Sequence, residues 1–256
     1  MRLTVLGSGT LVPHSERGTP GFLVVAGEQG REEKLLFDGG SGTLYRLARA
    51  GEDWREISHI FYTHYHPDHT LDLVSFLFAC NYAPGSERTA RLYIYGPAGL
   101  KEFYSRISLA WPSVIPKKYS LELRELEPGA VVQGEAGWQV ESGLMDHGDS
   151  GGLGYRISFE GQALTLSGDT QYCAELVRLA RGADLLVCEC SADESHRVEG
   201  HLSPEGVARI ARESGVKRVL LTHVYPPLDP ETVAGQCATL CSAQVTAASD
   251  LVSYEI

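Results

Sequence analysis

The stretch Thr63-His64-Tyr65-His66-Pro67-Asp68-His69 decides how the rest of this chain is read. It places three imidazoles and a carboxylate in consecutive reach, directly after residues 57–63, an apolar run with the composition of a buried strand. Nitrogen and oxygen donors of this kind suit zinc, manganese or iron. Alternate residues of an extended segment point the same way, so His64 and His66 can reach one ion. The turn at Pro67 then swings Asp68 and His69 toward a second position. A polar turn with incidental histidines does not explain four donors in so short a span.

Outward from this motif the chain alternates strand and helix signals. Residues 3–6, 22–26 and 34–37 are expected as strands, 43–50 as a helix stopped by Gly51, 71–81 as a helix, 92–95 as a strand and 98–109 as a helix. Residues 119–140 read as antiparallel strands joined by Pro128-Gly129 and Gly137. The second half offers a hairpin, 154–159 with 163–166, around Glu160-Gly161, then a helix over 171–181 and a buried strand at 185–189. Ser203 as N-cap and Pro204 at the first position open a further helix that ends near Gly215. A strand at 219–222, a helix opened by Asp229-Pro230 and a closing segment at 251–256 complete the chain. Two β-then-α halves without a linker or fixed repeat predict an α/β protein with sheets inside and helices outside, as one domain over residues 1–256.

Composition bounds the function. With 43% hydrophobic and 21% charged residues the 256-residue chain is ordinary for a globular protein, and disorder, collagen and coiled coil are excluded. No apolar run approaches the roughly 18 residues that span a bilayer, so no membrane role is expected. Basic residues number 22 against 33 acidic, a net charge of −11, which argues against broad affinity for nucleic acid. A small anion beside a dication stays compatible with that charge. The opening MRLTVLGSGT lacks the basic and long apolar regions of a signal peptide, and the six cysteines show no C-x-x-C pairing, so a cytoplasmic location with reduced, mostly core cysteines is expected.

H-x-H-x-D-H after a strand resembles the metallo-β-lactamase superfamily, whose four-layer αββα sandwich carries one or two metals at the edge of its sheets. The remaining landmarks of that family follow in order: Asp38 in LLFDGGSGT, His147 in MDHGDSGGLGYRI, Asp169 in LSGDT and His223 in LLTHVYP. The resemblance implies His64, His66 and His147 on one metal, Asp68, His69 and His223 on the other, and Asp169 between them. It gives Asp38 the task of orienting a ligand histidine, with an ordinary β-turn aspartate as the alternative. Aspartate rather than cysteine at 169 is similar to the ribonuclease Z and phosphodiesterase side of the superfamily. Glu189 in VCECS and His201 in EGHLSPEG match a Glu and a His of ribonuclease Z-like proteins. A carboxylate that keeps an imidazole protonated near neutral pH makes a general acid. The implied catalytic residues are thus His201, Glu189 and Asp68, the last orienting or deprotonating the nucleophile.

This resemblance implies two divalent metal ions, zinc foremost with manganese or iron as alternatives, and phosphodiester hydrolysis by a metal-bridging hydroxide with His201 protonating the leaving oxygen. Ribonuclease Z grips tRNA with an arm inserted between the His147-type and Asp169-type positions, whereas 21 residues, enough for a hairpin, separate them here. A small phosphodiester such as a cyclic nucleotide is therefore the expected substrate, and large RNA is disfavoured. The alternatives are a ribonuclease Z-like endoribonuclease, and an acyl hydrolase of lactonase or thioesterase type, which has no need of the Glu189–His201 acid. Relatives are often dimers, so a homodimer is an expected assembly, and the apolar stretch 71–83 would line its interface, a substrate pocket or simply core. Gly7, Ser8, Gly9 and Thr10 either offer backbone N–H groups to a phosphate or form a tight turn. His14, His59 and His196 have no matched role.

Overall fold

A computed structural model describes residues 1–85, 87–192 and 198–256. In chain order its first half comprises β1 (Arg2–Gly7), β2 (Gly21–Ala26), β3 (Glu33–Phe37), α1 (Thr43–Arg49), β4 (Ile57–Phe61), α2 (Pro67–Thr70), α3 (Asp72–Tyr82), β5 (Leu92–Gly96), α4 (Leu100–Ala110) and β6 (Leu121–Glu125). Its second half comprises β7 (Val131–Gln133), β8 (Gln139–Leu144), β9 (Leu153–Phe159), β10 (Gln162–Leu166), α5 (Ala174–Ala180), β11 (Leu185–Glu189), α6 (Pro204–Ser214), β12 (Arg218–Thr222), α7 (Pro230–Leu240), β13 (Gln244–Ala247) and β14 (Ser253–Glu255).

Two seven-stranded sheets result, ordered β14-β1-β2-β3-β4-β5-β6 and β13-β12-β11-β10-β9-β8-β7. Strands β3 to β6 are parallel, as are β10 to β13, while β8, β9 and β10 run antiparallel. The parallel strands are covered on both faces, which is why β11 is buried at every residue. Phe37, Phe61 and Tyr95 of one sheet meet Tyr155, Leu164 and Val187 of the other in the central core. Leu47, Phe76 and Leu100 of α1, α3 and α4 cover the outer face of the first sheet, and Leu176, Ile210 and Val233 of α5, α6 and α7 that of the second. This is the αββα sandwich.

Local chemistry accounts for the helix ends. Asp229 accepts from the Thr232 N–H at 2.9 Å to open α7, and Gly215, at φ 73°, closes α6 in the left-handed conformation that suits glycine. One expected pairing fails. Residues 119–140 do not form a single antiparallel unit: β6 pairs in parallel with β5, and only β7 and β8 are antiparallel partners, in the other sheet. The chain changes sheets at residues 126–130, and alternation alone carries no information about which strand is the partner. The metal motif also departs from plan, since β4 stops at Phe61 and Pro67 opens the short α2. Strand β13 had no matching expectation, and α5 begins at Ala174, three residues after the expected start.

Candidate active site

The chemistry-bearing residues gather at one edge of the sandwich, where the parallel strands of both sheets have their carboxyl ends. Asp38 follows β3, the segment 62–69 follows β4, His147 lies beyond β8 and Asp169 beyond β10, Glu189 ends β11, and His223 follows β12. Asp38 and His223 adopt φ of 55° and 61°, a left-handed backbone unusual for residues with a Cβ. Hydrogen bonds hold both there: the Asp38 N–H donates to Phe61 O at 2.9 Å and the His223 N–H to Ser8 O at 3.0 Å. Strain retained in this way turns both side chains toward the strand ends.

His64, His66, Asp68, His69, His147, Asp169, Glu189, His201 and His223 all converge. Donor atoms of His64, His66 and His147 lie within 4.8 Å of one another, as do those of Asp68, His69 and His223, and those of His64, His69 and Asp169. Asp169 Oδ2 stands 3.4 Å from Nε2 of both His69 and His223, and 3.9 Å from Nε2 of His64. Asp68 Oδ2 is 3.5 Å from His223 Nε2 and 3.9 Å from His69 Nε2. Atoms bound tetrahedrally to an ion at zinc-like distances are roughly 3.3 Å apart, and these separations are of that order.

Each of five histidines has its outer nitrogen occupied. His69 Nδ1 donates to Asp38 Oδ2 at 2.8 Å, and His147 Nδ1 to Gly200 O at 2.9 Å. Thr63 gives its hydroxyl proton to Asp38 Oδ2 at 2.9 Å, so its oxygen accepts from His64 Nδ1 at 3.0 Å. Ser191 gives its proton to Glu189 Oε2 at 2.7 Å and accepts from His223 Nδ1 at 3.0 Å. His66 is reversed: Nε2 meets Ser150 Oγ at 3.1 Å, and Nδ1 faces His64 Nε2 at 2.9 Å and His147 Nε2 at 3.3 Å. With their protons directed outward, these imidazoles turn lone pairs toward common points, an arrangement a cation relieves.

Two further observations fit a cationic occupant. His69 Nε2 and His223 Nε2 are buried and have no hydrogen-bond partner among the described residues. Burial alone would push His69 down, but Asp169 and Asp38 outweigh it and raise the imidazole well above its ordinary range. Asp169 is opposed by its own burial, yet His223 and His69 hold its carboxyl well below the usual carboxylate range. The buried carboxylates thus demand positive charge, which a dication would supply in place of the His69 proton. Burial pushes the His64 and His66 imidazoles down, keeping them neutral and ready to coordinate.

Glu189 spans the remaining pair. Its Oε1 accepts from His201 Nδ1 at 2.9 Å and from the Thr170 N–H at 2.8 Å. Burial lowers the His201 imidazole, and the hydrogen bond and charge of Glu189 overcome this to raise it. The His201 ring lies 4.8 Å from that of His147 and 5.7 Å from that of His223. Cys188 and Cys190 alternate with Glu189 and are buried on the helix side, as strand geometry requires.

The opening loop is a tight turn. The Ser8 N–H and hydroxyl both donate to Asp250 Oδ1 at 2.8 Å, and the Gly9 N–H donates to Gly18 O at 2.7 Å, so these groups already have partners. His59 is buried beside Tyr93 at 5.0 Å between ring centres, His14 is exposed, and His196 lies outside the described residues. Thr63, Ser150, Ser191 and the Gly200 carbonyl were not anticipated, because hydroxyls and backbone oxygens carry no sequence signature of an outer partner. Tyr225 was also missed; its ring stands 5.5 Å from that of His223, and burial, aided by Asp68, pushes its phenol up to about 12.

A sandwich with this donor set at its strand ends defines a metal-dependent hydrolase. Residues 33–224 match the family model described as a beta-lactamase superfamily domain, and the chain belongs to that superfamily, on its ribonuclease Z-like branch. It is 28% identical to a ribonuclease Z of Myxococcus xanthus over 313 aligned positions that cover 100% of this chain and 98% of the relative. Since the chain has 256 residues, at least 57 of those positions have no counterpart in it. The solved structure of human tRNase Z, short form, superposes with a TM-score of 0.78 at 26% identity, covering 100% of this chain and 99% of that one. The metallo-beta-lactamase fold protein YhfI from Bacillus subtilis shares the fold with a TM-score of 0.84 at 23% identity, over 99% of this chain and 98% of its own. Divalent metal ions belong to this fold, and no described helix is long and apolar enough to cross a membrane.

Proposed function

We propose that the chain is a phosphodiesterase acting on a small phosphodiester such as a cyclic nucleotide, with His64, His66 and His147 holding one divalent ion, Asp68, His69 and His223 a second, and Asp169 between them. The observation that carries this reading is the Glu189–His201 pair at the rim of the donor cluster. An alkoxide leaving phosphorus takes up a proton, and this pair places an acid where it can supply one. When bound, the two ions supply charge neutralisation and the nucleophile for in-line attack. The protein's part is to orient and to carry protons. Glu189 Oε1 fixes His201 through Nδ1, which leaves Nε2 to hold the proton delivered to the leaving oxygen. Asp68 accepts a proton or hydrogen bond beside His223; burial opposes its ionised form, but the contact with His223 keeps its carboxyl low.

Substrate size follows from the hairpin. Only the turn Glu160-Gly161 joins β9 to β10 between His147 and Asp169, so the arm that would grip a tRNA has no place there. Net charge of −11 points the same way. The second reading, a ribonuclease Z-like endoribonuclease, is favoured by the full-length likeness to ribonuclease Z. Zinc is the first choice of metal. We place the single-domain chain in the cytoplasm, on its six unpaired cysteines. It pairs as a homodimer through Phe78, Tyr82, Leu109, Trp111 and Ile115, large apolar residues exposed on α3, on α4 and just after α4; light scattering tests this. Turnover of cyclic nucleotides, bis-p-nitrophenyl phosphate, a lactone and a tRNA precursor by zinc-loaded protein tests the function. Small-diester turnover with an inert lactone supports it, precursor cleavage without small-diester turnover favours the second reading, and no turnover of either the small diesters or the precursor overturns both.

A further inference from the structure

The two donor groups are not equally well supported. Thr63, Asp38 and Ser191, which hold the outer nitrogens of His64, His69 and His223, are almost fully buried, and His147 is held by the backbone oxygen of the buried Gly200. His66 alone of the five relies on an exposed hydroxyl, that of Ser150. Ser150 ends the one-turn segment Gly148–Ser150. Gly148 and Gly151 on either side of it have φ of 56°, and nothing lies within 4 Å of where their Cβ atoms would stand. Residues 148–150 are exposed, so little side-chain packing holds this loop, and the contact of Ser150 with His66 ties it to the site. Charge is also unequal. The His64–His66–His147 group consists of three imidazoles, and Asp169 approaches it only at 3.9 Å, whereas Asp68 and Asp169 both stand near 3.5 Å from His223.

We propose that Ser150 is the positioning residue of the His64–His66–His147 site, and that this site binds its ion more weakly than the one built on Asp68, His69 and His223. The proposal rests on the ligand assignment above and is independent of which ester is hydrolysed. A hydroxyl suits the task because it can give or take a proton. With a cation at Nδ1 the ring proton of His66 resides on Nε2, and Ser150 Oγ accepts it, keeping the Nδ1 lone pair aimed at the point shared with His64 and His147. Without Ser150 the ring can turn about its χ2 bond and lose that aim.

The test is a titration of the metal-free, full-length chain with zinc against a chromophoric chelator, with no substrate present. The wild type should show a tighter and a weaker step. Ser150→Ala should weaken the weaker step by roughly tenfold, the low end for loss of an outer partner, and leave the tighter step unchanged; Ser150→Thr, which keeps the hydroxyl, should restore it. Asp68→Asn should weaken the tighter step, which fixes the assignment of steps to sites. Coincident thermal unfolding of metal-free Ser150→Ala and wild type shows that the variant folds. Ser150→Ala with both steps within twofold of wild type, an equal loss in both steps, or loss of the weaker step in Asp68→Asn overturns the proposal. A chain that binds no zinc overturns the ligand assignment beneath it, whereas zinc binding without diester turnover leaves the inference standing and rejects only the proposed substrate.

Discussion

Nδ1 of His201 lies 2.9 Å from Oε1 of Glu189, and the other oxygen of the same carboxylate holds Ser191, which in turn holds His223. One buried side chain therefore orients both the proposed acid and one proposed metal ligand. Their geometries are coupled, so a change at Glu189 acts on proton delivery and on the metal site together, while His201, whose Nδ1 also lies 2.9 Å from Ser191 Oγ, is outside the proposed ligand set and acts chiefly on proton delivery.

That distinction makes His201→Ala selective. A nucleoside alkoxide needs a proton to leave, while p-nitrophenolate departs without one. We expect His201→Ala to reduce kcat on a cyclic nucleotide by about 10²- to 10⁴-fold, and on bis-p-nitrophenyl phosphate far less, with zinc stoichiometry unchanged. Steady-state kinetics on both substrates provide the check. Equal losses on the two would remove His201 from the role of acid.

Removal of metal should be visible without any substrate. Asp169 is buried among His64, His69 and His223, and bound dications stabilise the folded state alone. At a hundredfold excess over Kd the gain is about 2.7 kcal/mol per site. Stripping with a chelator should lower Tm by several degrees, and zinc should restore it. Asp169→Ala, which loses the shared carboxylate, should abolish most of this response. Identical Tm values with and without zinc would count against a metal centre.

Much of this site was readable in the chain, for a physical reason. The proposed ligands are all His or Asp and sit where strands end, so His64 through His223 stand out by type and place. Their outer partners do not. Ser150 and Ser191 are ordinary serines until the fold brings one beside His66 and the other between Glu189 and His223. The sheets show the same limit. Residues 119–140 look like strands from composition, but β6 lies beside β5 rather than β7, with Leu121 and Leu123 packed against the cluster under α1, α3 and α4, and alternation does not describe that packing.

Away from the site, Glu52 should set part of the acid sensitivity. Burial pulls its carboxyl up, and hydrogen bonds from Lys34 at 2.7 Å and Arg2 at 2.9 Å more than offset this, leaving it below the ordinary 4.5. A folded pKa below the unfolded one gives stability that is present above pH 4.5 and lost as pH falls through the folded value. The partly exposed cluster is worth up to about 1 kcal/mol. Glu52→Gln should therefore lower stability near neutral pH by that amount and converge with wild type in acid. Denaturant melts at pH 7 and pH 3 decide it, and a constant difference between the two proteins would contradict the assignment.

Gly40 joins fold to site most directly. The segment after Asp38 threads between two loops: the Gly39 N–H donates to His69 O at 2.7 Å, and the Gly40 N–H to Pro20 O at 3.0 Å. A Cβ on Gly40 would stand 1.8 Å from Asp68 O and 2.3 Å from Thr19 Oγ1. The first contact is with backbone, so no side-chain rotation relieves it, and the helix turn that carries Asp68 and His69 must move. Overpacking of this kind costs about 1–3 kcal/mol. Gly51, at φ 74° with open space around it, gives the control, because a Cβ there meets only conformational strain of about 1–2 kcal/mol. Gly40→Ala should lower both Tm and zinc affinity, whereas Gly51→Ala should lower Tm and keep wild-type zinc affinity. If Gly40→Ala binds zinc as the wild type does, then the close approach of Gly40 to Asp68 does not position the ligands, and the glycine serves the fold alone.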